Sequence, residues 1–229
     1  MENLAWYVYV TFGATVLLTL WIFIRAANYS KTFIVVVTLW VLLQSVLGVS
    51  GFYSDVHSMT KRFPLLFFPA LIFIVFSFIT VKGKIFIDVL NISTLTILHI
   101  IRIPVEATLF WLFINKSIPV AMTFEGRNFD ILAGLSAPLV YYFVFVKKIT
   151  GKWMLLAFNI ACIISIVNVV SSAILSLPAR FRQFGFEQPN IALGHFPFLL
   201  LPALLVPLAL FSNLAAVRQL LIKKAIAEK

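Results

Sequence analysis

Residues 4–24 read LAWYVYVTFGATVLLTLWIFI, without one charged side chain, and Arg25 ends the run. An α-helix rises about 1.5 Å per residue, so a run of this length covers roughly the 30 Å of a bilayer's hydrocarbon core. Glu2 stands where a signal peptide carries basic charge, and the apolar stretch is longer than a signal-peptide core. The run therefore predicts a first transmembrane helix.

Six further runs follow at about 32–50, 64–81, 89–114, 130–146, 153–176 and 196–217. They are continuous rather than alternating, and lipid leaves no partner for open backbone groups, so helices are expected and a barrel is excluded. The whole chain is 62% hydrophobic and 11% charged. A soluble domain carries about 25% charged residues and could not hide this much apolar surface. The expected fold is an all-α integral membrane protein: one transmembrane domain over residues 1–229, a seven-transmembrane-helix bundle whose partner is the lipid bilayer.

A formal net charge of +10 raises the question of nucleic acid, but the Lys and Arg residues sit in short clusters at segment ends rather than in one stripe. No nucleic-acid partner is expected. Arg25, Lys31, Lys82, Lys84, Lys147, Lys148, Lys152, Arg218, Lys223, Lys224 and Lys229 fall on one side, against Lys61, Arg62, Lys116, Arg127, Arg180 and Arg182 on the other. The positive-inside rule puts the first group in the cytoplasm, the N-terminus outside and the C-terminus inside. The outer connections, near 51–63, 115–129 and 177–195, are the longer and more mixed ones. The single cysteine, Cys162, lies in an apolar run and is expected to pack.

Phe63–Leu71, FPLLFFPAL, aligns with Phe196–Leu204, FPFLLLPAL, at six of nine positions. More weakly, LLQSVLG from Leu42 can be laid on IVNVVSS from Ile166. Two parallel three-helix repeats joined by the fourth helix would explain both, a layout known among transporters, including the SWEET proteins; chance in a Phe-, Leu- and Pro-rich chain explains them as well.

RIPVE at Arg102–Glu106 and MTFEGRNFDILAGLSAP at Met122–Pro138 resemble an uncharacterised family of small bacterial multi-pass membrane proteins. The resemblance covers this middle portion and implies a bacterial inner (plasma) membrane. It brings no activity, ligand or site residue.

His99, Arg102 and Glu106 recur at spacings of three and four and share one face of the fourth helix. A charge at the bilayer centre costs about 2.5–3.5 kcal/mol on insertion scales, so Arg102 and Glu106 should face the bundle interior and pair with each other. Pro104 between them should kink the helix and leave the Ile100 carbonyl free. Glu125, Arg127, Asn128 and Asp130 form a second cluster at the start of the fifth helix, where Asp130 suits a cap and Glu125 and Arg127 are expected near the mouth of a site opening outward. A locking role for the Arg102–Glu106 pair is the structural alternative.

These residues predict binding, and translocation, of a small polar or anionic solute beside Arg102. A different class is a membrane-embedded enzyme acting on a lipid or hydrophobic substrate, with His57 and His195 and a carboxylate such as Asp55 or Glu125 as metal ligands on the outer face. A third is a noncatalytic subunit of a membrane complex. No HExxH, GxSxG, Walker or dinucleotide motif is present, the last helix has no lysine within its apolar run for a retinal Schiff base, and the sequence calls for no cofactor.

Overall fold

The computed structural model describes residues 4–55 and 60–227, and all the regular structure among them is helical. In chain order the helices are α1 (Trp6–Ala26), α2 (Lys31–Val49), α3 (Pro64–Ile79), α4 (Val81–Asp88), α5 (Ile92–Leu98), α6 (Arg102–Ile114), α7 (Asp130–Tyr141), α8 (Lys152–Leu175) and α9 (Val206–Ala227). A 3₁₀ turn, His99–Ile101, joins α5 and α6 into one rod, while π-helical turns extend α7 through Val146 and lead into α9 from Leu201. Six helices are long and apolar enough to cross a membrane: Trp6–Ala26, Lys31–Val49, Thr60–Ile79, Ile92–Ile114, Lys152–Leu175 and Leu201–Ile222. The run at 130–146 forms the shorter apolar helix Asp130–Val146.

Two boundaries differ from those the runs suggested. The stretch after α3 is not a plain loop: Thr80 turns extended, its hydroxyl accepts from the Gly83 amide at 3.2 Å, and α4 begins. Gly83 passes so close to α3 that a Cβ there would lie 2.3 Å from the Ser77 carbonyl oxygen. Asn91 then caps α5 by accepting from the Thr94 amide at 3.0 Å, which starts the rod at residue 92. The last helix starts late as well, because residues 196–199 form turns rather than helix.

Hydrogen bonds between elements sort the connections onto two ends. At one, the Asn91 amide donates to the Ala26 carbonyl, Asn28 Nδ2 to that of Val89, and Gln219 Nε2 to those of Ile87 and Leu90. At the other, Thr60 Oγ1 donates to the Pro178 carbonyl, Gln188 Nε2 to that of Phe113, and the Ile191 amide to that of Ser117. The three long connections thus meet in a common cap. The basic ends of α1, α2 and α4 lie away from it.

The rod Ile92–Ile114 and the span Leu201–Ile222 are the most buried of the six, 44% and 56%, whereas Lys31–Val49 and Thr60–Ile79 reach 22% each. The first two form the bundle's centre, and the second two flank it with exposed apolar faces. A stack of Phe23 on Phe33 (4.9 Å) and Phe211 (5.9 Å), with Phe86 beside both, fills the end opposite the cap. The two FP-containing nonapeptides take different local forms. The first is helical from Pro64, with Pro69 inside α3; the second passes through turns with a cis Phe196–Pro197 bond and then the π turn.

Proline also leaves its trace in α9. Residue 207 has no amide hydrogen, so the carbonyl four positions earlier, Ala203, lacks its ordinary helical donor; Trp40 Nε1 of α2 reaches it at 2.8 Å. A peripheral helix is thereby fastened to the centre by a carbonyl that proline has freed. Trp40→Phe should lower stability by about 1–2 kcal/mol in reversible unfolding in detergent. In a Pro207→Ala background, where the backbone donor returns, the same change should cost less than half as much; equal losses would refute the link.

Candidate functional site

Pro104 sets the geometry of the rod. Its missing amide breaks the α-helical ladder one turn earlier, and the chain tightens into the 3₁₀ turn at His99–Ile101. The Arg102 amide that closes this turn points at the carbonyls of both His99 and Ile100, so the Ile100 carbonyl meets a donor locally rather than being left free. Its three ionisable residues, His99, Arg102 and Glu106, are only 1%, 3% and 1% exposed. They do face the interior.

Their partners are not the expected ones. Arg102 Nη1 donates to Asp130 Oδ1 at 2.6 Å, and this is the ion pair Arg102 makes; Glu106 is instead held by Asn128, whose Nδ2 donates to Glu106 Oε1 and to the Met122 carbonyl at 3.1 Å. Asp130 does not cap α7. The cap position is Phe129, without a side-chain bond, and Asp130 sits in the first turn with its carboxylate turned to Arg102 and to Ser165 Oγ at 2.5 Å. An Arg–carboxylate pair across helices satisfies the cation better than Glu106 one turn away on the same helix can, because a planar guanidinium needs an acceptor in its own plane.

Two glycines make this reach possible. At Gly134, one turn along α7 from Asp130, a Cβ would lie 2.8 Å from Ile103 Cγ1 and 3.4 Å from Arg102 Cβ, so only glycine lets the helices approach at this point. At Gly126, a Cβ would lie 2.1 Å from the Val120 carbonyl oxygen; the tight turn there, with the Gly126 and Asn128 amides on the Thr123 carbonyl, folds Asn128 inward. Asn128 Oδ1 accepts from the Asp130 amide at 3.0 Å. Arg102, Asp130, Asn128 and Glu106 therefore close a ring between the rod and the start of α7.

The other members of the cluster lie elsewhere. Glu125 and Arg127 are exposed; the Arg127 guanidinium lies 5.0 Å over the Phe184 ring, and its carbonyl accepts from Asn168. They are not part of the ring. His99 sits below it, edge-on to Phe158 at 5.6 Å and 3.4 Å from Ser212 Oγ of α9. His195 stays in its own loop, its Nδ1 3.0 Å from the Ile191 carbonyl, and His57 lies outside the described residues. Among the described residues no group of three or more His, Cys, Asp and Glu side chains comes together to hold a metal.

Asn159 and Asn213 each donate to a carbonyl of their own helix rather than across to a neighbour. Ser165 and Ser212 were the residues that sequence reasoning passed over. Serine is too common in membrane helices to signal a site, and only the register of α8 and α9 against the rod distinguishes these two.

The ring borders a cavity of about 30 Å³, space for about two waters, lined by Arg102, Glu106 and Asp130 against Leu109, Val169 and Leu201. It is far smaller than a hydrated vestibule. Among the described residues, Arg102 Nε and Nη2, Glu106 Oε2, His99 Nδ1 and Asn213 Oδ1 have no hydrogen-bond partner. No protein-family model, curated protein or solved structure matches the chain.

Removing one member of a buried ion pair strands the other. Asp130→Ala should therefore destabilise the protein by about 3–5 kcal/mol, whereas the double change Arg102→Met with Asp130→Leu should recover most of that loss. Additive losses in the double variant, measured by denaturant unfolding in detergent, would show that the two residues do not act as a pair.

Proposed function

We propose that the chain is a seven-crossing protein of a bacterial inner membrane that binds, and carries across the bilayer, a small polar solute at the Arg102 ring. Asp130–Val146 is the seventh crossing in this reading, with its shorter helix beginning beneath the cap. The basic ends of α1, α2 and α4 then lie in the cytoplasm with the C-terminus, and the three long connections and the N-terminus lie outside. The two FP-containing segments would open corresponding helices of two three-helix repeats, the second remodelled by its π turn.

One observation carries the functional part. Among the described residues Arg102 gives one nitrogen to Asp130 and keeps Nε and Nη2 without a partner, and Glu106, which lines the same small cavity, keeps Oε2 without one. A guanidinium serving only as a clamp is best held bidentately, with its donors used. Stability alone is a weak reason for such a group, since apolar replacement of a buried pair is often neutral or stabilising. A polar solute with an acceptor for Arg102 and a donor for Glu106 completes both. It suits the site better than an anion, because Asp130 already balances the Arg102 charge and Glu106 adds a further carboxylate.

The test is flux in proteoliposomes of the full chain, read by stopped-flow light scattering with glycerol, urea and acetamide. At least one should enter faster than into empty liposomes, and Arg102→Gln should cut that excess by about tenfold or more while the folded fraction is retained. An unchanged rate in Arg102→Gln removes the site, and no excess rate with any of the three removes solute carriage. The orientation has its own check. In a Cys162→Ala background, Lys116→Cys should react with an impermeant maleimide in intact cells and Lys148→Cys should not; the reverse pattern inverts the topology.

A further inference from the structure

A second cavity, about 340 Å³, lies between α3 and α8 beneath the cap. Its walls are apolar, Phe63, Phe67, Ala173, Ile174, Leu193 and Pro202 among them. Among the described residues Thr60 brings the one side-chain hydroxyl in the lining, and that hydroxyl already donates to the Pro178 carbonyl. Phe68 and Phe181, which also line it, are 58% and 50% exposed, so the cavity reaches the flank of the molecule where hydrocarbon would lie.

Leu109, Val169, Leu201 and Val206 line both this cavity and the small one at the ring. These four residues are thus common to the walls of an apolar chamber and of the small cavity that holds the unpartnered atoms of Arg102 and Glu106. Leu201 opens the π turn before α9 and Val206 follows it, where the helical ladder is already interrupted. Met122 adds a link, since its side chain lines the chamber while its carbonyl accepts from the same Asn128 that holds Glu106.

We infer that the two cavities are one binding site for an amphiphile that arrives sideways from the bilayer between α3 and α8: its apolar body fills the chamber, and a single uncharged terminal group, a primary amide or an alcohol, reaches Arg102 and Glu106. The inference rests on the solute site proposed above and names its substrate class. The sizes decide the division. About 30 Å³ admits a terminal group of roughly two water molecules' bulk and no phospholipid headgroup, while the larger space falls within the range of ordinary ligand pockets. Among the described residues the chamber's lining offers no free side-chain polar group to hold a head at its rim, so the polar end finds its partners at the inner wall. A terminal amide or hydroxyl accepts from Arg102 Nε or Nη2 and donates to Glu106 Oε2 without adding charge to the site.

The probe is radiolabelled decanamide, with the full chain in nanodiscs and empty nanodiscs subtracted. Saturable binding is expected, weakened about tenfold to a hundredfold by Arg102→Gln, which removes the charged donor, and at least tenfold by Val170→Trp, which fills the chamber away from the ring. Ala173→Phe serves the same purpose should Val170→Trp lower the melting temperature. Decane at the same concentration should displace little of the probe. Unchanged binding in the chamber-filling variant, equal displacement by decane (partition into apolar space only), or no saturable binding each overturns the inference. Acetamide flux that depends on Arg102 in a protein that does not bind decanamide sinks the amphiphile and leaves the solute site standing; loss of both sinks both.

Discussion

A guanidinium inside an apolar bundle has to be met by protein, and Arg102 imposes that demand on every element around it. The rod changes from α to 3₁₀ immediately before it, Gly134 lets α7 close to contact, Asp130 reaches it from the first turn of α7, and Ser165 supports the same carboxylate oxygen from α8. Replacing any of these groups alone leaves a buried charge or a steric conflict, so the ring is held by mutual dependence rather than by the strength of one bond.

The prolines and irregular turns follow a related logic. Each proline inside a helix frees a carbonyl, and a bilayer offers that carbonyl no water. The molecule answers locally at Ile100, through the Arg102 amide that closes the 3₁₀ turn, and from a distance at Ala203, through Trp40. Two of the irregular stretches lie at the bundle's centre, at the rod and at the approach to α9. They are tolerable there because packed neighbours supply donors.

The membrane-like spans were legible because length and apolar continuity are one-dimensional signals; α1 and α8 fall within two residues of the runs that announced them. Amphipathic α4 was not, since VKGKIFID looks like a polar connection until Thr80 caps it. In the site, burial of His99, Arg102 and Glu106 followed from periodicity on one helix, but the partner of Arg102 did not. Asp130 looked like a cap because its position relative to the start of α7 is visible in sequence, whereas the close approach at Gly134 that turns it toward Arg102 depends on how two helices cross. Asn128 was visible as a candidate without its role. Which of four polar loop residues folds inward is set by the turn at Gly126.

The ion pair joins residues separated by 28 positions, with the cap segment between them. Ribosomes deliver Arg102 first, so for the time needed to make those residues the arginine-bearing helix has no carboxylate from α7 to meet. Glu106 is its only nearby acid in that interval, four positions on and already on the same helix. Insertion machinery that released the rod into lipid alone would face the full penalty of a lone charge, and release together with Asp130–Val146 as a two-helix unit avoids it. The order of synthesis thus becomes a physical constraint on how the protein enters its membrane.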